Sequence, residues 1–309
     1  MKRKGNLYET IISLDNLKNA VKLAKKGKLK QFGVKKFLEN QEENLNILHE
    51  LLNHRKFKTS EYSEIQIFEP KPRVIARLPF YKDRILHWAI MLQLRDIFVK
   101  SFIAQTYSGI KGRGIHKASY DLRKVIKKYD YCLKLDVKKF YENIDHNILK
   151  TLLRKKIKDK ELLTLLDEII DSYHSGLPLG SLVSQYFANF YLSYFDHFIK
   201  ENLKVRSYFR YMDDMVILSN NKEELHNIFA DIEIYLKCLK LEVKENYQIF
   251  PIKKRSIDFV GYCHYKTHTL IRKSIKKNYI KSKNKERWNG WFTHGNTVNL
   301  RRKYENNQH

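Results

Sequence analysis

Tyr208-Phe209-Arg210-Tyr211-Met212-Asp213-Asp214-Met215-Val216-Ile217-Leu218 is the stretch from which the fold is read. Two β-forming arms flank Met212-Asp213-Asp214, and Asp is favoured in tight turns. The stretch therefore reads as a hairpin with two carboxylates at or beside its turn. Upstream, Tyr131-Cys132-Leu133-Lys134-Leu135 is a short hydrophobic strand that ends at Asp136. If the three strands are neighbours, three carboxylates converge at one edge of a sheet. Acids at the ends of buried strands repel one another and lose hydration, and a cation offsets both costs. Mg2+ suits such a set, because it takes oxygen ligands, keeps several waters and binds one or two carboxylates with substrate phosphates. Two such ions about 4 Å apart serve in-line displacement at phosphorus. No His or Cys stands near these acids in sequence, which argues against zinc. A bare Asp-Asp is more often only a polar turn; the third Asp at the end of another strand sets this one apart.

Working outward, the N-terminal third reads as helical. Ser13 precedes Leu14, Leu17 and Val21 at helical spacing and is placed to cap that helix, and one helix is expected from Val34 to about His54. Between Tyr62 and Pro79, short alternating runs broken by Pro70, Pro72 and Pro79 read as a β-ribbon. Asp83 opens a long apolar helix, and Asp145 is placed to cap another through Ile148, Leu149 and Leu152. Gly176-Leu177-Pro178-Leu179-Gly180 is a loop that leads into an aromatic-rich helix. After the hairpin come a helix from Lys222, short strands at Leu241–Val243 and Ile257–Tyr262, and a basic helix near Ile275–Arg287. Helices followed by strands mixed with helices point to an α+β architecture with an antiparallel sheet.

The chain has 309 residues, with 60 Lys and Arg against 34 Asp and Glu, a formal net charge of +26. Such a charge strains a compact state by self-repulsion. Nucleic acid is the commonest reason for it, since each neutralised phosphate releases counterions; a basic ribosome-associated protein or lysine drift is the alternative. Hydrophobic residues make up 43%, enough for a globular core rather than disorder. Cys132, Cys238 and Cys263 form no metal-ligand spacing and read as reduced core thiols. The charged N-terminus is followed by no long apolar run, so neither a signal peptide nor a membrane span is expected, and the expected location is the cytoplasm.

At Tyr211-Met212-Asp213-Asp214 and Leu133-Lys134-Leu135-Asp136-Val137-Lys138-Lys139-Phe140-Tyr141 the sequence resembles the reverse transcriptases. The resemblance implies a right-hand polymerase with fingers, a palm built on a ferredoxin-like antiparallel sheet backed by helices, and a short helical thumb. Residues 1–60 are then an N-terminal helical extension, 61–130 fingers, 131–265 palm and 266–309 a basic thumb. It implies that Asp136 and Asp213 bind two Mg2+ ions, for which Mn2+ substitutes, with help from the Val137 carbonyl and a lesser role for Asp214. Tyr141 would pack under the nucleotide sugar and exclude a 2′ hydroxyl, with Phe140 the less favoured candidate.

The resemblance extends over most of the chain. Lys71, Arg73 and Arg77, in the segment running through Lys82-Asp83-Arg84, match the fingers ribbon that clamps a triphosphate. Lys244 matches a lysine that protonates leaving pyrophosphate, although a surface lysine reads equally well. Phe259, Gly261 and Tyr262 match a grip on the primer end, with Gly261 allowing close backbone approach. Leu179-Gly180-Ser181-Leu182-Val183-Ser184-Gln185 is similar to the form found in diversity-generating retroelements. There Gly180, Ser181 and Gln185 line the nucleotide pocket, and copying is error-prone at template adenines. The implied partners are an RNA template and primer, the growing cDNA, dNTPs, and a small basic helical accessory protein, often pentameric in that family. Retron, phage-defence and group II intron-type enzymes remain open, as does an RNA-binding scaffold without activity.

Overall fold

A computed structural model describes residues 3–68, 72–282, 284–299 and 302. Its helices are α1 (Tyr8–Ile12), α2 (Leu14–Ala24), α3 (Phe32–Glu39), α4 (Gln41–Asn53), α5 (Ile85–Val99), α6 (Ile115–Val125) and α7 (His146–Arg154). They continue with α8 (Lys160–Asp171), α9 (Leu182–Tyr191), α10 (Ser193–His197), α11 (Lys222–Cys238), α12 (Lys273–Lys281) and α13 (Asn289–Thr293). The strands are β1 (Ser63–Ile67), β2 (Arg73–Arg77), β3 (Thr106–Tyr107), β4 (Tyr131–Asp136) and β5 (Tyr208–Tyr211). They continue with β6 (Asp214–Ser219), β7 (Gln248–Pro251), β8 (Ile257–Phe259), β9 (Tyr262–His264) and β10 (Thr269–Ile271). The chain divides into two compact units, Met1–Phe102 with Lys139–Ser193, and Ile103–Lys138 with Tyr194–His309.

The first unit is helical, with the β1–β2 ribbon. Ser13 caps α2 by accepting from the Asn16 N–H, and Asp145 caps α7 by accepting from the Ile148 N–H at 2.9 Å. Leu86, Ala89, Ile90 and Leu94 of α5 are fully buried, and the Phe98 ring meets Phe187 and Phe190 of α9. Each such Leu, Ile or Phe side chain contributes about 1.5–3 kcal/mol by leaving water. The single helix expected from Val34 to His54 is two, because the backbone breaks at Asn40 (φ −130°, ψ 49°).

The second unit is built on a five-stranded sheet in the order β3-β5-β6-β4-β7. Strands β4 to β7 are antiparallel neighbours in the order of a ferredoxin-like fold, and α11 packs on β4, β6 and β7. The fully antiparallel sheet expected from sequence is corrected at one edge, where the two residues of β3 pair parallel with β5. The fourth palm strand is also not where the sequence placed it. Leu241–Val243 forms only a bridge from Val243 to Val137, and β7 at Gln248–Pro251 takes the edge. Its Pro251 is tolerated there because an edge strand leaves one side without ladder bonds.

Pairing fixes which residues share a face. Cys132, Lys134 and Asp136 lie opposite Leu218, Val216 and Asp214, so all six project from one side of the sheet. The apolar members join Phe209, Phe250, Phe259 and Tyr262 in one buried cluster. The three cysteines are free, but Cys238 is exposed and Cys263 half-buried, so only Cys132 is the core thiol the sequence led us to expect. Among the described residues, no helix is long and apolar enough to cross a membrane.

Candidate active site

Asp136 ends β4 and is the direct cross-strand partner of Asp214, the first residue of β6. Tyr211 also faces Asp214, which leaves Met212 and Asp213 as a two-residue hairpin turn. Met212 adopts φ +56°, the left-handed conformation that primed hairpin turns require. The Val137 N–H donates to the Asp213 carbonyl at 3.3 Å and ties the turn to the end of β4.

The three acids do not share one environment. Burial, and next the charge of Asp136, push the Asp213 carboxyl up to about 6. Lys244 donates its backbone N–H to the Asp136 carbonyl at 2.9 Å and sets its ammonium on the Asp136 carboxylate. Asp214 is instead ion-paired with Lys134, whose ammonium burial pushes down to about 8 against the pull of Asp136. Among the described residues no three His, Cys, Asp or Glu side chains gather as one metal-holding group. Asp136, Asp213 and Asp214 lie together where β4 ends and β6 begins; Asp136 and Asp213 form an interacting pair, beside an Asp214–Lys134 ion pair. The pair is an all-oxygen donor set, and burial together with the Asp136 charge lifts the Asp213 carboxyl; it fits a hard divalent cation.

Beneath the turn lies a network that the sequence reading missed. Arg210, fully buried, donates its Nε to Asp196 of α10 at 2.7 Å and its Nη1 to the Met212 carbonyl at 3.0 Å. Asp196, also fully buried, accepts from Thr106 Oγ1 at 2.9 Å and Tyr208 OH at 2.7 Å. The fork of the guanidinium thus carries both the ion pair and the turn carbonyl. One signal was available, a lone Arg in the middle of an apolar strand.

The proposed primer-grip residues lie in the same unit. Phe259 and Tyr262 are fully buried. The Tyr262 hydroxyl bonds His116 Nδ1 at 2.9 Å, and its ring tilts against Trp291 at 5.1 Å. A Cβ on Gly261 would run into Ile275 and Trp291. In this fold the groups that approach Gly261 closely are the Ile275 and Trp291 side chains of the chain's own C-terminal segment.

In the first unit, the Leu179 carbonyl accepts from the Ala76 N–H at 3.0 Å, which docks the Gly176–Gly180 loop on β2. Gly180, Ser181 and Gln185 line a cavity of about 180 Å3 with Ala76, Arg84 and His87. Lys28 also lines it; burial first and then Arg84 depresses Lys28, and burial first and then Arg77 depresses Arg84. Gly180, Ser181 and Gln185, assigned to one pocket from sequence, lie together on this lining; Lys28, Arg84 and His87 were not assigned to it. Arg73 and Arg77 bound β2 and are exposed, outside the cavity lining, and Lys71 lies outside the described residues. Phe140 is buried and packs edge-on against the half-buried Tyr141, the favoured candidate for the nucleotide sugar. The Tyr141 carbonyl accepts from the Leu177 N–H at 2.8 Å.

A ferredoxin-like sheet with paired carboxylates at a strand end and the adjoining turn defines a palm of the right-hand polymerase class. Residues 65–264 match the family described as reverse transcriptase (RNA-dependent DNA polymerase), and the chain belongs to that family. It is 27% identical over 177 residues to the group II intron-encoded protein LtrA of Lactococcus lactis subsp. cremoris, covering 54% of this chain and 29% of that protein. It is 24% identical to protein YkfC of Escherichia coli K12, covering 63% of this chain and 62% of YkfC. The chain thus spans less than a third of LtrA and under two thirds of YkfC. Among solved structures, apo telomerase from Candida tropicalis superposes with a TM-score of 0.56 at 13% identity, covering 73% of this chain and 50% of that one. Telomerase from Candida albicans with a fragment of telomeric RNA gives 0.50 at 14% identity, covering 68% and 45%. At such identities these likenesses establish the fold.

Proposed function

We propose that this chain is an RNA-directed DNA polymerase, in which a primer 3′ oxygen attacks the α-phosphate of a dNTP and pyrophosphate leaves. The observation that carries the reading is the Asp136–Asp213 pair at the end of the palm sheet, within the span that matches the family. Asp136 and Asp213 would hold divalent cations, Mg2+ or Mn2+, which when bound supply Lewis-acid stabilisation of phosphoryl charge. Lys134 neutralises Asp214 and keeps it out of that competition. Lys244, already on Asp136, is placed to deliver a proton to a leaving oxygen. The cavity at Gly180, Ser181 and Gln185, with Arg84 and Lys28 on its wall, suits a nucleotide or templating base beside phosphate. In this reading 61–130 serve as fingers, 131–265 as palm and 266–309 as thumb.

The finer reading is a reverse transcriptase of a diversity-generating retroelement, error-prone at template adenines and assisted by a small basic helical protein. What supports it is Leu179-Gly180-Ser181 followed by Gln185, whose flexible amide lines the cavity. A group II intron-type enzyme is the second reading, favoured by the likeness to LtrA. Primer extension on an RNA template with Mg2+, followed by sequencing of the product, separates them. Synthesis lost in Asp136→Ala and Asp213→Ala, with errors opposite adenines, is expected. Accurate copying removes the diversity-generating reading and keeps the polymerase. No synthesis by the wild type, with or without an accessory protein, overturns both.

A further inference from the structure

The palm sheet has a second end. Tyr131, which begins β4, pairs with Ser219 at the end of β6 and Pro251 at the end of β7. Five residue steps separate it from Asp136, about 17 Å at the usual strand rise. Just before β4, the Asp130 N–H donates to Asn220 Oδ1 at 3.0 Å, and the Asp130 carbonyl accepts from the Ile252 N–H at 2.8 Å. These bonds bring three loops side by side. One carries Lys127 and Lys128, a second Lys253, Lys254 and Arg255, and the third Asn220 and Asn221. All five of those cations are exposed. Lys266 pairs with Asp130 at 2.8 Å and cancels one of the acids there; Glu223 is another.

Between the third loop and α11 lies an open groove of about 800 Å3, whose walls include Tyr131, Asn220, His226 and Asn227. Amides and an imidazole offer hydrogen bonds to base edges, a tyrosine ring offers stacking, and a lysine rim neutralises phosphates. A duplex phosphate backbone would need only the rim. The groove's amide and imidazole wall fits unpaired bases.

We infer that this end of the sheet is a second RNA-binding surface, which takes a single-stranded or looped RNA segment lying outside the primer–template. It goes beyond the polymerase reading, because it needs none of the carboxylates. It gives the chain a way to hold its RNA while the strand at Asp136 is copied.

The test loads the protein with a short hairpin primer–template and then titrates a fluorescent single-stranded RNA of roughly 15 nucleotides, a length matched to such grooves. Anisotropy is read across a salt series. The wild type should bind this second RNA with the hairpin in place. Lys127→Glu/Lys128→Glu/Lys254→Glu should bind it at least tenfold more weakly. Its log–log salt slope should be flatter by about two, at roughly 0.7 for each phosphate that is no longer neutralised. Hairpin extension should be unchanged. His226→Ala/Asn227→Ala should weaken binding and leave the slope intact. Equal affinity in the triple variant overturns the inference, as does parallel loss of hairpin extension in a normally folded variant. Poly-glutamate binding in place of RNA overturns it in favour of an acidic protein partner. A wild type that extends no primer defeats the polymerase reading while the anisotropy remains readable.

Discussion

At Asp213 burial and the charge of Asp136 hold the carboxyl up at about 6, whereas its neighbour Asp214 faces the Lys134 ammonium. The unfolded chain ionises the same carboxyl at its ordinary, lower value. Stability is therefore lost as pH rises through that interval, and the cost is fully present above about 6. A divalent cation between Asp136 and Asp213 offsets it there. Mg2+ should raise the melting temperature at about pH 7.5, a stabilisation of up to roughly 2.7 kcal/mol at a hundredfold excess over its Kd, and should raise it less at about pH 5. Asp213→Asn should abolish the effect and Asp214→Asn should keep it; a wild-type melt indifferent to Mg2+ at both pH values would sink the metal assignment. Arg210 gives a second residue-scale expectation. Arg210→Met leaves Asp196 charged, buried and without its guanidinium, at a cost of about 3–5 kcal/mol in urea unfolding. Adding Asp196→Leu should restore most of that stability, since an apolar pair tolerates the site.

Elements were legible where their signals are local. Asp145 at the start of α7 and Asp213 in its hairpin turn act through neighbours a few residues away, so sequence alone places them. The edge strand β7 was not legible, because four residues ending in Pro251 carry no alternation to distinguish them from a loop. The break at Asn40 was missed because the apolar stripe continues across it. The loop before α9 shows how a local signal acquires a distant purpose. Gly176 sits at φ +62°, and a Cβ there would overlap the Tyr141 and Glu142 carbonyls. His146 Nε2 bonds its carbonyl at 2.6 Å. Gly176→Ala must therefore shift the loop and break the Leu177–Tyr141 bond, destabilising by about 2 kcal/mol or more. Chemical denaturation would register it; a neutral result would mean that the loop is not held where Tyr141 meets it.

Over the whole molecule, the fold class followed from the order of elements, while the burial of particular side chains did not. Tyr262 reads as a contact for primer in sequence. It is buried because Trp291, 29 residues later, returns over it, and nothing local encodes that return. Two histidines are also buried in ways their local sequence does not encode. His87 on α5 and His264 on β9 are 4% and 0% exposed, and neither Nε2 has a hydrogen-bond partner among the described residues. Burial pushes both down to about 4; at His264 a ring hydrogen bond to the Phe259 backbone carbonyl opposes it and Arg123 adds to it, and at His87 Arg84 adds to it. The unfolded chain takes up protons at these rings below about 6.5, and the folded chain does not until about 4. Stability is therefore present above the higher value and lost as pH falls through the interval, by roughly 2 kcal/mol per histidine at pH 5. Denaturant unfolding at about pH 7.5 and pH 5 should show that loss in the wild type. His264→Gln, which retains a polar group near Thr269, should lose about 2 kcal/mol less than the wild type between the same two pH values. An identical loss in both proteins would mean that the imidazole of His264 already carries a proton in the fold, against the burial that surrounds it.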